Sequence, residues 1–182
     1  MNTIFELDRA ARELYDVQGR RLDAVTRTWT FVRSAEKSAQ CERVDALAAV
    51  NWLQRESGHP LRIPIGVIGP REAKPAQLAA ALRVGGVSIG LLPDADAAHA
   101  NPFVSVALAT GIGEARNALI ARASLCLVAV GDSLGTLSEV ALGRHFGKLV
   151  IGLEGAAQVD GVVHVESPQA AVELVAGVAL NR

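Results

Sequence analysis

From residue 63 onward the chain alternates short apolar runs with segments of helical periodicity, and this alternation constrains the fold most. The apolar runs lie at residues 63–69, 87–92, 104–108, 125–130, 149–153 and 162–165. The helical segments lie at residues 75–84, 114–123, 134–146 and 168–180. Apolar strands that alternate with helices are typical of parallel sheets, because helices cover both faces of such a sheet. The sequence therefore predicts an α/β domain built on a parallel sheet.

Residues 1–60 do not continue this pattern and are predicted to form a small appendage. Residues 20–30 alternate in the manner of a strand, and the Asp-Val-Gln-Gly run at 16–19 is suited to a hairpin turn. Residues 42–54 read as an amphipathic helix. Its predicted apolar face consists of Val44, Leu47, Ala48 and Trp52. The sequence thus predicts a hairpin-and-helix appendage at 1–60 and a Rossmann-like ligand-binding domain at 61–182.

The composition argues against several classes of function. The formal net charge is -1, 20% of the residues are charged and 4% are aromatic. This balance offers no basic surface for nucleic acid or anionic membranes, and few rings for base stacking. The first residues lack the basic and apolar regions of a signal peptide, and no apolar run is long enough to span a bilayer. A cytoplasmic location is therefore expected.

The residues that commonly bind metals do not have the spacing of a metal site. Cys41 and Cys126 are far apart and have no CxxC companion, and the four histidines are scattered. Cys126 lies within an apolar run, where a buried free thiol is expected. No metal site in the protein is predicted.

The loop at residues 131–136 is the sharpest candidate for a binding site. In an open parallel sheet, ligands bind beyond the carboxyl ends of the strands. Gly131 and Gly135 let the backbone approach a ligand, and the following helix presents free N–H groups and its positive dipole end to an anion. The hydroxyls of Ser133 and Thr136 are further candidate ligand contacts.

Three features qualify this prediction. Asp132 would repel phosphate, so it is expected to cap the helix or to bond a ribose hydroxyl. The run from Thr136 to Glu139 also fits an [ST]xxE capping box, which needs no ligand. Two further loops follow strand ends and begin at Gly69 and Pro93.

A second glycine-rich turn, at residues 110–117, opens another helix. Arg116 and Asn117 lie in the first turns of that helix, where arginine is suited to bidentate recognition of phosphate or carboxylate. The alternative is a solvated helix start. Two such helix openings in one α/β chain favour an anion site more than either does alone.

Several sequence stretches occur in an order that is typical of a known superfamily. They read IGVIGP at 65–70, IGLLP at 89–93, ANP at 100–102, ATGIGEARN at 109–117 and GDSLGTLSE at 131–139. In this order they resemble molybdenum-cofactor carrier-like proteins, within the wider superfamily of Lonely-guy phosphoribohydrolases and DNA-processing-A-like Rossmann domains. The resemblance covers about two thirds of the chain and favours ligand binding at residues 131–139.

The resemblance also implies roles for two residues. In Lonely-guy enzymes the glutamate of a P-G-G-x-G-T-x-x-E motif and an upstream arginine serve N-glycosidic cleavage, and Glu139 and Arg116 occupy the matching positions. The G-T-x-x-E half is intact here, whereas the double glycine is absent. This departure argues against hydrolysis of a nucleoside monophosphate and favours a carrier.

A second departure concerns the fold. Relatives carry a further strand, a glycine-rich loop and a helix before the IGLLP strand, and roughly thirty such residues are missing here. Either the chain is a reduced homologue, or residues 1–60 or a neighbouring subunit fill the gap, because a naked sheet edge invites pairing.

Three hypotheses follow. The first is a non-catalytic carrier of a phosphate-bearing ligand, either molybdenum cofactor or a nucleotide. The second is a Lonely-guy-like phosphoribohydrolase, and the third is a structural protein that has lost its pocket. Superfamily membership implies a homo-oligomer, either a dimer or a tetramer.

Overall fold

The computed structural model describes residues 4–33, 36–37, 40–60, 62–69 and 86–181. By its internal contacts the chain divides into two units. One consists of Met1–Ile63 together with Pro168–Arg182, and the other consists of Pro64–Ser167. The helix predicted at residues 75–84 lies outside the described residues.

The first unit contains a five-stranded antiparallel sheet. Its strands are β1 (Ile4–Asp8), β2 (Glu13–Asp16), β3 (Arg20–Leu22), β4 (Trp29–Phe31) and β5 (Glu42–Asp45). Their spatial order is β4-β3-β2-β1-β5. The predicted hairpin is confirmed, because Gly19 closes the β2–β3 turn by donating its N–H to Asp16 O at 3.0 Å and adopts a φ of 76°.

The single strand predicted at residues 20–30 is wrong, because a turn divides it into β3 and β4. The Asp23 side chain accepts hydrogen bonds from Val25 N and Thr26 N, at 2.9 and 2.7 Å. The Asp23 carbonyl accepts a third from Arg27 N at 2.8 Å. An aspartate that bonds the backbone two and three residues ahead stabilises a turn in preference to an extended strand.

Two helices share the apolar core of this unit. Helix α1 (Ala46–Ser57) begins after Asp45, whose side chain accepts from Ala48 N, and it ends at Gly58 in the left-handed conformation. The predicted start at residue 42 is wrong, because residues 42–45 form β5 and pair with β1. The second helix follows the second unit in the chain, at Pro168–Leu180.

This C-terminal helix belongs to the first unit, whereas the sequence analysis assigned it to the 61–182 domain. The indole N–H of Trp29 donates to Leu180 O at 2.7 Å, and Leu180 lies in the same apolar core as Phe5 and Trp52. Its periodicity predicted the helix itself correctly, but a periodic pattern does not indicate which sheet an apolar face will cover.

The second unit contains the predicted α/β architecture. Its strands are β6 (Ile65–Ile68), β7 (Ile89–Leu92), β8 (Val106–Ala109), β9 (Cys126–Val130), β10 (Leu149–Leu153) and β11 (Val163–His164). Its helices are α2 (Arg116–Ala123) and α3 (Leu134–His145), so the Pro168–Leu180 helix is α4. Every strand pair here is parallel, as expected for a Rossmann-like fold.

The sheet of this unit is interrupted. Four strands form the order β11-β10-β9-β6, while β7 and β8 form a separate pair. In the described part of the chain, β6 is bonded to β9 alone and β7 to β8 alone, although α2 packs against both β6 and β7. The missing strand–helix unit before residue 86 stays a prediction, because residues 70–85 lie outside the described residues.

One leucine sets the spacing between β6, β9 and α3. Leu127 of β9 is fully buried, and its two methyl groups occupy the space where side chains at Gly66 and Gly143 would lie. A Cβ at Gly143 would also stand 3.1 Å from Val150 Cγ2. Both neighbours must therefore be glycine for the strand and helix to approach Leu127 this closely.

We expect Gly143→Ala to destabilise the protein by about 1–3 kcal/mol through overpacking against Leu127. Helix propensity alone would favour alanine by about 1 kcal/mol, so the sign of the change separates the two effects. Urea unfolding of both proteins measures the change in the free energy of unfolding. Gly135→Ala is the control, because the nearest atom to a Cβ there is Ser133 Oγ at 3.8 Å. A stabilised Gly143→Ala protein would contradict this packing.

A second prediction concerns Cys126, the buried free thiol. Burial raises the pKa of the Cys126 thiol from 9.0 to about 11. The folded state thus keeps this proton to higher pH than the unfolded chain, and the stability it contributes is present below pH 9.0 and lost as pH rises through about 11. The stability of wild type relative to Cys126→Ala should fall by about 2 kcal/mol across this window.

Urea titrations at several pH values between neutrality and the upper end of this window measure that difference. Cys41→Ala is the matched control, since Cys41 is only partly buried. Parallel pH profiles for wild type and Cys126→Ala would show that the thiol is not desolvated.

None of the described helices has the length and apolar character needed to cross a membrane.

Candidate functional site

The loop between β9 and α3 forms a tight strand-to-helix corner. Gly131 turns the chain with a φ of 71° and donates its N–H to Leu153 O at 3.1 Å, which ties the loop to β10. Ser133 is extended and caps α3, because its Oγ accepts from Thr136 N at 3.1 Å. Helix α3 therefore begins at Leu134, and its first N–H groups lie at the carboxyl edge of the sheet.

This geometry corrects two predictions about the loop. The capping box from Thr136 to Glu139 is wrong, because the cap is Ser133 and both of those residues lie inside α3. The predicted capping role of Asp132 is also wrong, and its side chain is exposed. The Thr136 hydroxyl is buried and bonded to Ser133 Oγ at 2.8 Å, so it completes the cap instead of facing solvent.

Gly69 and Pro93 lie next to the two glycine loops and support them. A Cβ on Gly69 would stand 2.5 Å from the carbonyl oxygen of Val130, so β6 and β9 can end side by side only with glycine there. Pro93 O accepts from Gly113 N at 3.0 Å, and this bond joins the end of β7 to the turn before α2. Both residues thus support the loops through their backbone atoms.

Arg116 and Glu139 form the first of two links between α2 and α3. A short 3-10 turn, Gly113–Ala115, leads into α2 and places Arg116 at its first position. Arg116 Nη1 lies 3.9 Å from Glu139 Oε1, and the side chains are 16% and 4% exposed. At this distance the two groups attract each other electrostatically, since a direct hydrogen bond requires about 3 Å.

The second link runs from Asn117 through Ser138. Asn117 Nδ2 donates to Ser138 Oγ at 2.8 Å, and Ser138 Oγ donates to Gly135 O at 2.7 Å. Asn117 is buried, whereas Ser138 is exposed. The Asn117 side chain of α2 is in this way held against the first turn of α3.

Two buried polar atoms in this cluster have no hydrogen-bond partner among the described residues. They are Nε of Arg116 and Oδ1 of Asn117, a donor and an acceptor on consecutive residues. A buried polar group without a partner costs about 1–3 kcal/mol. Atoms of this kind therefore indicate a place where water or a ligand completes the structure.

The structure thus brings together Arg116, Asn117, Glu139 and the start of α3, and leaves Asp132 exposed. Sequence reasoning missed Ser138. In the sequence, Ser138 is marked only by its position one turn into α3. The spacing of residues within one helix does not indicate which side chain of another helix a residue will contact. The residues that the structure describes contain no group of three or more His, Cys, Asp or Glu able to hold a metal ion.

A parallel sheet flanked by helices, with a glycine loop and two polar links at its carboxyl edge, defines a Rossmann-like α/β protein. The chain belongs to the SLOG cluster4 family, whose family model matches residues 75–179. It is 35% identical over 123 residues to an uncharacterized protein of Archaeoglobus fulgidus, covering 68% of this chain and 78% of that protein.

Solved structures of molybdenum-cofactor proteins share this fold. The molybdenum cofactor binding protein of Rippkaea orientalis matches with a TM-score of 0.57 and 28% identity, over 64% of this chain and 98% of that one. The molybdenum cofactor carrier protein of Chlamydomonas reinhardtii matches with a TM-score of 0.54 and 27% identity, over 66% and 100%. The resemblance that the sequence motifs indicated is confirmed.

The position of the α3 cap leads to a prediction. Ser133→Ala should lower the free energy of unfolding by about 1 kcal/mol, because Thr136 N loses its acceptor, whereas Ser133→Gly should cost only a few tenths. Urea unfolding measures both. Asp132→Ala is the neighbouring control and should change stability by less than about 0.5 kcal/mol. Equal losses at the two positions would contradict the cap.

Proposed function

We propose that this protein binds a small phosphate-bearing ligand, a molybdopterin-type cofactor, between the start of α3 and the first turn of α2. The observation that carries the proposal is the buried Nε atom of the Arg116 guanidinium, which has no hydrogen-bond partner in the described part of the chain. Arginine presents its donors in a planar fork that matches phosphate oxygens. An anion beside α2 would supply the acceptor that this atom lacks.

The electrostatics of the cluster suit a carrier. Glu139 Oε1 lies 3.9 Å from Arg116 Nη1, so the carboxylate partly offsets the positive charge of the guanidinium without a direct hydrogen bond between the two groups. The guanidinium can still donate hydrogen bonds to a phosphate, while the nearby carboxylate weakens the electrostatic attraction between them. The opening of α3 adds unpaired N–H groups and the positive end of the helix dipole. Together these features favour reversible binding of an anion.

The family resemblance supports the identity of the ligand. Two of the structural relatives are described as binding or carrying molybdenum cofactor, and both align along nearly their whole length. Molybdopterin carries a phosphate, which the Arg116 and α3 groups fit. This site would hold the cofactor by that phosphate, while redox chemistry belongs to the cofactor itself. A nucleotide presents the same phosphate and remains the other ligand within the proposal.

A second candidate function is cleavage of the N-glycosidic bond of a nucleoside 5'-monophosphate. The observation that favours it is the approach of Arg116 to Glu139, the two residues that the Lonely-guy resemblance assigns to that reaction. The burial of Glu139 argues against it, since only 3% of the residue is exposed and its carboxylate lies beside the guanidinium. We therefore rank hydrolysis second.

The assembly and location of the protein complete the proposal. All residues of the proposed site lie within Pro64–Ser167. Among the described residues, β6 and β7 each have one edge without a pairing strand, which favours a homo-oligomer because exposed strand edges pair readily. We also propose that the protein is cytoplasmic and that it binds neither nucleic acid nor a membrane.

The proposal predicts a ligand-dependent rise in melting temperature. A ligand that binds only the folded state at 100 times its Kd stabilises that state by about 2.7 kcal/mol, which a thermal-shift assay detects. Molybdopterin-type cofactor, adenosine monophosphate and pyrophosphate should each raise the melting temperature of the wild type. Arg116→Ala should abolish the rise.

The matched control is Arg122→Ala, which removes an arginine from the same helix. Arg122 stacks on Phe146, with Cζ 4.2 Å from the ring centroid, and takes no part in the site. Its variant should keep the full ligand shift. Equal shifts in both variants would contradict the proposed site. Release of adenine from adenosine monophosphate by wild type, but not by Glu139→Gln, would establish hydrolysis in place of simple carriage.

A further inference from the structure

The amide of Asn117 can be assigned from its hydrogen-bond chain. The Ser138 hydroxyl has one hydrogen, and Gly135 O receives it at 2.7 Å. Ser138 Oγ can then only accept from Asn117, at 2.8 Å, so the atom that faces it must be the amide nitrogen. The oxygen Oδ1 is consequently the atom left over. It is buried and has no partner in the described part of the chain.

Consecutive residues of α2 therefore offer opposite requirements to a ligand. Arg116 Nε is a donor that lacks an acceptor, and Asn117 Oδ1 is an acceptor that lacks a donor. A phosphate group satisfies the first atom. It cannot satisfy the second, because ionised phosphate oxygens only accept hydrogen bonds and would be repelled by the amide oxygen.

We propose that Asn117 selects phosphate esters that carry an N–H or O–H donor over phosphate compounds that carry none. This inference rests on the proposed function and specifies its ligand class. Asn117 determines specificity, and Ser138 is a positioning residue that fixes which end of the amide is presented. A site with one buried acceptor of fixed orientation discriminates strongly, since the wrong ligand leaves that acceptor desolvated and unpaired.

The same chemistry can come from two parts of a ligand. Ribose hydroxyls supply O–H donors, and the amino and ring N–H groups of a pterin or guanine supply N–H donors. Isothermal titration with three probes distinguishes them: phenyl phosphate, which is fully ionised in weakly alkaline buffer, carries no donor, ribose 5-phosphate carries hydroxyls, and guanosine monophosphate carries both. Wild type should bind guanosine monophosphate at least about tenfold more tightly than phenyl phosphate. Binding of ribose 5-phosphate at the guanosine monophosphate level would identify the hydroxyls as the donors.

Two variants test the role of the amide. Asn117→Leu should weaken the binding of guanosine monophosphate by about tenfold and leave the binding of phenyl phosphate unchanged or tighter, which removes the discrimination. Ser138→Ala should reduce the same ratio, because the amide is then free to turn its nitrogen toward the ligand. Ser138 is exposed and helical, so this variant is expected to fold even if Asn117→Leu does not.

The outcomes separate this inference from the proposed function. If phenyl phosphate and guanosine monophosphate both bind and neither variant changes their affinity ratio, Asn117 does not select the ligand and a buried water satisfies its oxygen. If both probes bind wild type and fail with Arg116→Ala, the phosphate site stands regardless of Asn117. Failure of every probe with wild type would overturn the proposed function and this inference together.

Discussion

The placement of Leu127 between two glycines is the packing constraint on which the site depends. Because Gly66 and Gly143 have no side chains, β6 and α3 both approach β9 closely enough to enclose this leucine. The axis of α3 is thereby set relative to the sheet, and its first turn stands at the carboxyl edge. The Ser133 cap then determines where that turn begins. A functional loop can be short and glycine-rich only when the scaffold behind it is this closely packed.

The two α2–α3 links convert this scaffold into a polar site. One link is electrostatic, from Arg116 to Glu139 at 3.9 Å, and the other is a hydrogen-bond chain from Asn117 to Ser138. Each link uses only some of the polar atoms of its α2 side chain. Arg116 Nε and Asn117 Oδ1 are buried and have no hydrogen-bond partner in the described part of the chain. Fully satisfied pairs would stabilise the helix packing more. The incomplete bonding is what makes these residues candidates for ligand binding, since functional sites carry unsatisfied groups that the rest of the fold tolerates.

The sequence predicted the second unit better than the first, and the reason is physical. Strands of a parallel sheet are apolar throughout and are separated by helices, so β9 and α3 could be placed from residue types alone. In the first unit, the turn at Asp23 depends on one side chain bonding the backbone. The residues of β5 looked helical because their apolar spacing continues into α1. They form a strand because sheet pairing with β1 overrides this local pattern. The assignment of α4 to a sheet depends on tertiary packing, which no local pattern encodes.

At the candidate site, the sequence indicated residues that the structure brings close together, but not the contact that each one makes. The order of motifs indicated Arg116, Asn117 and the 131–139 loop, yet it assigned the helix cap to Thr136 or Asp132 when Ser133 holds it. Three hydroxyl or carboxyl residues within five positions can all cap a helix, and only the backbone conformation decides among them. Ser138 shows the same limit more clearly, because its role comes from a residue on another helix. Polar residues on two helices meet only when both helices are held in place, and the glycine contacts of Leu127, which lie away from those polar residues, set how closely α3 approaches β9.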